Sequence, residues 1–137
     1  MLEVPSVLFL VPELQKAGVQ FFSIGTNDLS QYLLASDRLN PLQKEHTSPL
    51  ALARALQFLS DLSSVPISVC GNLAADPHWA ALLVGLGIEE LSIPMQQIPL
   101  IKEKLLTYQH RLPSLQKAVQ DLLQKDEETF LNHLETF

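Results

Sequence analysis

Apolar and polar positions along this chain fall into short runs whose period changes from strand-like to helix-like and back. Residues 21–25 (FFSIG) form a largely apolar run closed by Gly, and the polar Thr26-Asn27-Asp28 follows before apolar residues resume at Leu29. That layout predicts a β-strand over 21–25, its βα-loop over 25–28 and a helix over 29–35. PISVC (66–70) and ELSI (90–93) predict two more strands, and 2–4 reads as a strand fragment. Helices are predicted over 7–17 with Gly18 as the stop, over 49–60 with Pro49 in its first turn, over 78–86 behind Asp76-Pro77, and over 98–108. Residues 37–48 read as a polar loop. From 113 to 137 the spacing is helical, with Leu115, Val119, Leu122, Leu123, Phe130, Leu131 and Leu134 on one face. Four strands alternating with helices at short spacing imply parallel βα units and an α/β fold, either a small open sheet or part of a (β/α)₈ barrel.

Composition narrows the class. The chain has 137 residues, 47% hydrophobic and 18% charged, which describes a buried core and not a disordered segment. A net charge of −6 leaves no basic surplus to displace counterions, so no nucleic-acid partner is expected. A single Cys leaves no internal disulfide to form. No apolar run is long enough for a membrane span and no signal-like segment is present, so a soluble, cytoplasmic protein is expected.

The richest chemistry lies in 21–38. Asn27 both donates and accepts hydrogen bonds, and Asp28 supplies a hard oxygen suited to Mg²⁺. Arg38 adds a planar cationic fork that matches phosphate. Together they point to a phosphate-and-metal site. Asp28 could instead cap the helix after it, and Arg38 could be a solvated surface residue or a partner of Asp37.

Three blocks carry a resemblance: Met1-Leu2-Glu3-Val4-Pro5, then Ser23-Ile24-Gly25-Thr26-Asn27-Asp28-Leu29 through Asp37-Arg38, then Cys70-Gly71-Asn72-Leu73-Ala74-Ala75-Asp76. In this order they resemble the PEP-utilising enzymes, in particular the C-terminal domain of Enzyme I of the bacterial phosphotransferase system. The resemblance runs over about 1–104. It implies a fold: the C-terminal half, about four βα units, of a TIM (β/α)₈ barrel over 1–108, with a helical extension over 109–137. It also implies site residues. Glu3 and Asp28 would hold Mg²⁺, Asn27, Arg38 and Gly71 would bind phosphoenolpyruvate (PEP), and Cys70 would be the acid that protonates enolpyruvate to pyruvate. The acceptor would be a His on a separate N-terminal domain, from which a phosphocarrier protein is phosphorylated. Read without the resemblance, Glu3 is an exposed carboxylate, Cys70 a small buried hydrophobe and Gly71 a turn glycine.

Some positions depart from the family. Asn72 stands where the family has Glu and Ala75 where it has Gly, and the loop before Pro49 is shorter and lacks the family's Tyr and His. Arg residues from the earlier barrel strands are missing, and Arg54 and Arg111 lie in predicted helices. None of His46, His78, His110 and His133 sits in a phosphorylated-His motif. The chain is therefore expected to start within a fold, to bind PEP weakly and to transfer no phosphoryl group alone. Half a barrel leaves two strand edges and an apolar interior open to water, so a homodimer is expected. Other readings are a non-catalytic regulatory or oligomerisation module, a piece of a dikinase or PEP synthase, and a small α/β enzyme for another phosphometabolite.

Overall fold

The computed structural model describes residues 1–36 and 48–137. Three strands, β1 (Phe22–Gly25), β2 (Ile67–Cys70) and β3 (Glu90–Ser92), form a parallel sheet in the order β1-β2-β3. The expected fragment at 2–4 shrinks to one parallel bridge, Leu2 to Ile24, on the remaining edge of β1. Spatial order thus follows chain order without reversal, so every crossover runs the same way. Right-handed crossovers then bring all connecting helices to one face of the sheet.

Residues in register share a face, and the face alternates along each strand. Phe22, Ile24, Ile67 and Val69 are buried and join the core with the helices. The other face carries Ser23, Ser68 and Glu90 in one row and Gly25, Cys70 and Ser92 in the next. The apolar interior expected for a half-barrel is therefore absent from these strands. Every second residue of FSIG, ISVC and ELS is small or polar, Ser68 buried at the centre of the sheet and Glu90 and Ser92 exposed at its edge, so that face holds little apolar area to bury. Among the described residues, no further strand pairs with either outer edge of the sheet, beside β3 or beside Leu2.

The helices are α1 (Pro5–Leu8), α2 (Val11–Lys16), α3 (Thr26–Leu33), α4 (Pro49–Leu62), α5 (Pro77–Gly85), α6 (Ile98–Leu106), α7 (Leu112–Leu123) and α8 (Glu127–Leu134). The single helix expected over 7–17 is broken between Leu8 and Val11. Pro12 causes the break, because it has no N–H for the carbonyl of Leu8 and its ring would collide there; it is tolerated in the first turn of α2 instead. α3 begins at Thr26, so the expected loop 25–28 is its first turn. No side chain caps α3, and Asp28 lies inside that turn and not at the cap. Ser48 caps α4 by accepting from the Ala51 N–H, and Asp76 caps α5 by accepting from the N–H groups of His78 and Trp79. No helix among the described residues is long and apolar enough to cross a membrane.

α7 and α8 fold back over the other helices. Leu115, Val119, Leu122, Leu123, Phe130 and Leu134 are buried in the same cluster as the strands, whereas Leu131 is 43% exposed and leaves the expected face. Gly85 in α5 makes room for α7, since a Cβ there would sit 2.5 Å from Cγ2 of Val119. The helical stretch divides at Asp126, whose carboxylate accepts from the backbone N–H and the hydroxyl of Thr129. Those bonds, the backbone one first, hold the Asp126 carboxyl below the usual carboxylate range. A lowered carboxyl pKa stabilises the fold above its unfolded value and loses that contribution as pH falls through the folded one. Acidification is therefore expected to loosen α8 more in the wild type than in Asp126→Ala. Thermal unfolding followed against pH checks this, and parallel curves for the two proteins would refute it.

Candidate functional site

The C-terminal ends of the strands gather the residues singled out above. Gly25 is in register with Cys70, and Cys70 with Ser92. A Cβ on Gly25 would lie 2.8 Å from Oε2 of Glu3 and 3.2 Å from its Cβ. The missing side chain at Gly25 is thus what lets the Glu3 carboxylate fold over the end of β1. Glu3, Gly25, Cys70 and Ser92 run across one rim of the sheet.

α3 leaves β1 without a loop and packs its first turn on the residues after β2. Thr26 is fully buried, and its hydroxyl donates to the carbonyl of Cys70 at 2.7 Å. The Asn27 side-chain oxygen accepts from the backbone N–H of Asn72 at 3.0 Å, which leaves the amide NH₂ as the group able to donate outward. Gly71 sits between them at φ +101, and a Cβ there would be 2.6 Å from the Thr26 hydroxyl and 3.0 Å from the Asn27 oxygen. Cys70 is partly exposed, and its thiol donates to the carbonyl of Ile24 at 3.3 Å.

The structure therefore brings Asn27, Cys70 and Gly71 into one cluster, with Glu3 on the same rim and Asp28 in the first turn of α3. Arg38 and His46 lie outside the described residues. Arg54 donates to the carbonyls of Leu123 and Lys125, and Arg111 to that of Thr107, so both are committed to helix ends. His78 contacts the Phe137 carbonyl and His133 that of Thr129, so both rings are engaged with the C-terminal helices. Asn72 is exposed, and it is its backbone that bonds Asn27. Ala75 lies in a 3₁₀ turn, Leu73–Ala75, and is not a positive-φ position, so the residue standing for the family's Gly fits without strain.

The donor chemistry suits Mg²⁺. This ion prefers oxygen ligands, keeps several waters, and is usually held by one or two protein carboxylates plus a phosphate. Glu3 and Asp28 offer two carboxylates, the first in a cradle that a Cβ at Gly25 would fill. No group of three or more His, Cys, Asp or Glu side chains among the described residues forms a closed cage. Sequence reading missed two residues here. Thr26 lies inside the matched block, but its buried bond to Cys70 is visible only in three dimensions, and Ser92 joins the rim only through strand register.

Comparison with known proteins identifies the family. The family model of the PEP-utilising enzyme PEP-binding domain matches residues 1–110. A multiphosphoryl transfer protein of Rhodobacter capsulatus is 43% identical over 110 residues, 77% of this chain and 13% of the relative. A protein of Escherichia coli K12 named for the phosphoenolpyruvate-dependent phosphotransferase system is 43% identical over 98 residues, 68% of this chain and 13% of the relative. A phosphoenolpyruvate synthase of Pyrococcus furiosus is 34% identical over 117 residues, 82% of this chain and 14% of the relative. The chain thus spans about an eighth of the length of the relatives it matches. With the family model matched over residues 1–110 and relatives at 43% identity over more than two thirds of the chain, this chain belongs to the PEP-utilising enzyme family, as its PEP-binding domain.

Proposed function

We propose that this chain carries part of the PEP and Mg²⁺ site of a PEP–protein phosphotransferase of the Enzyme I type, built on the C-terminal half of a (β/α)₈ barrel. The observation that carries the reading is the convergence of Asn27, Cys70 and Gly71 at the ends of β1 and β2, beside Glu3 folded over Gly25. The half-barrel is supported by the chain-ordered parallel sheet, whose outer edges pair with no further strand among the described residues. In the reaction, the P–O bond of PEP breaks, the phosphoryl group passes to a His on a separate domain, and enolpyruvate takes a proton at C3. Cys70 holds that proton on its thiol, which then regains one from water. Asn27 offers its amide NH₂ to a phosphate or carboxylate oxygen, Arg38 balances charge, and Gly71 allows the backbone to approach the anion closely. Glu3 and Asp28 would hold Mg²⁺, which when bound offsets the charge of the multiply anionic substrate. Such an enzyme is cytoplasmic and hands its phosphoryl group to a phosphocarrier protein.

The reading includes a homodimer. Beside the open edge of β3 runs an apolar groove of about 650 Å³, lined by Leu91, Ile93, Ile98, Ile101, Leu105 and Leu106 among others. A two-fold axis parallel to the strands would set the β3 edge of one copy against the Leu2 edge of the other, keeping every strand parallel. A second reading, a PEP synthase-type enzyme, is favoured by the match to the Pyrococcus furiosus protein over 82% of this chain. It differs in direction, the phosphoryl group passing to pyruvate so that PEP is formed and not consumed.

Calorimetric titration of the chain with PEP, with and without Mg²⁺, tests the main reading. Weak saturable binding that needs Mg²⁺ and disappears in Asp28→Ala is the expected result. Binding that ignores Mg²⁺, or survives that substitution unchanged, would refute it.

A further inference from the structure

Thr26 is a buried polar residue to which neither the family match nor the proposed chemistry gives a role. It is fully excluded from solvent, at the junction where β1 becomes α3. Its hydroxyl donates to the Cys70 carbonyl at 2.7 Å, while the Cys70 thiol donates back across the strands to the Ile24 carbonyl at 3.3 Å. Cys70 is thus held at its thiol and at its carbonyl by residues two apart in the chain. The same hydroxyl lies 2.6 Å from the point a Cβ on Gly71 would occupy, so it also sets the path of the peptide after Cys70. The carbonyl of Thr26 in turn accepts from the hydroxyl of Ser30, one helical turn on.

We propose that Thr26 is a positioning residue. Through one hydrogen bond it fixes the Cys70–Gly71 peptide, and so fixes the direction in which the Cys70 thiol is presented at the rim. The catalytic meaning of this arrangement rests on Cys70 being the proton donor, but the arrangement itself does not. A hydroxyl is suited to the task because it is short, and the β-branch of Thr restricts χ1. Its single proton has one target, so the bond has one geometry.

Two variants and two probes test it, all without PEP, so that a failure of PEP binding leaves the result intact. Thr26→Val keeps the shape and removes the donor, and Thr26→Ser keeps the donor. Cys70 is the chain's one cysteine, so its alkylation by iodoacetamide reads this thiol alone. Gly71 is one of five glycines, and its amide resonance reports hydrogen bonding to the Cys70 carbonyl of the same peptide unit. In Thr26→Val the expected results are alkylation about fivefold faster, the size that one hydrogen bond supports, and an upfield shift of the Gly71 amide proton. Thr26→Ser should stay within about twofold of the wild type in rate, since it keeps that bond. The proposal is overturned if folded Thr26→Val matches the wild type in both readouts, or if Thr26→Ser shows the same change as Thr26→Val. A Thr26→Val chain that does not fold also overturns it, since the hydroxyl would then serve the fold as a whole.

Discussion

Replacing Gly71 by Ala is expected to lower the unfolding free energy by about 3 kcal/mol and to disrupt the candidate site at the same time. Two costs add. At φ +101 a side chain is strained whatever the space around it, at about 1–2 kcal/mol. The new Cβ would also lie 2.6 Å from the Thr26 hydroxyl, so that hydroxyl must move off the Cys70 carbonyl. Losing a buried hydrogen bond of this kind costs about 1–3 kcal/mol. Gly18 supplies the control, because it sits at φ +95 with nothing within 4 Å of the same construction. Gly18→Ala should show the backbone cost alone, about 1 kcal/mol. Urea unfolding of the two variants measures the difference, and equal losses would show that the contact with Thr26 contributes nothing.

Phe130→Ala should cost about 4 kcal/mol, the larger of the two effects. The ring is fully buried at the centre of α8, 6.4 Å from the ring of Trp79 in α5 and tilted to it by 58°. Deleting it removes the apolar contact that seats α8 and leaves a cavity that the rigid α5–α7 packing cannot close. Glu127, at the start of α8, accepts from the Ser48 hydroxyl and the Leu50 N–H, so a loosened α8 also frees the start of α4. Trp79 is the only tryptophan, and its emission should move to the red as water reaches it. A loss below about 1 kcal/mol with unchanged emission would mean that α8 is held by its polar contacts and not by this ring.

The alternating fold could be read from the chain because its signals are local. Apolar runs closed by Gly, Pro in first turns, and Ser48 or Asp76 at helix starts each act within a few residues, and the strands and most helices stand where those signals set them. The break at Pro12 was just as local. The division at Asp126 has a local cause too, a carboxylate three residues ahead of a hydroxyl and an N–H, but it competes with a helical spacing that runs straight through it. The candidate site was legible only in part. Asp28 and Asn27 stand out as polar residues after an apolar run, whereas Cys70 and Gly71, read alone, look like an ordinary strand end and turn.

By itself, then, the sequence determined the α/β alternation, the family and the residue types available for anion and metal chemistry. Each of these depends on neighbours along the chain or on an ordered block of residues. Tertiary structure decided which of those residues meet. Register placed Cys70 between Gly25 and Ser92, the absence of a side chain at Gly25 let Glu3 fold over the rim, and the first turn of α3 closed on 70–72 through Thr26 and Asn27. It also decided that the face away from the helices is polar, because strand alternation sorts residues by face only once the helices have taken one side. Contacts between residues 44 and 45 apart in the chain depend on how whole elements pack, and no local pattern encodes that.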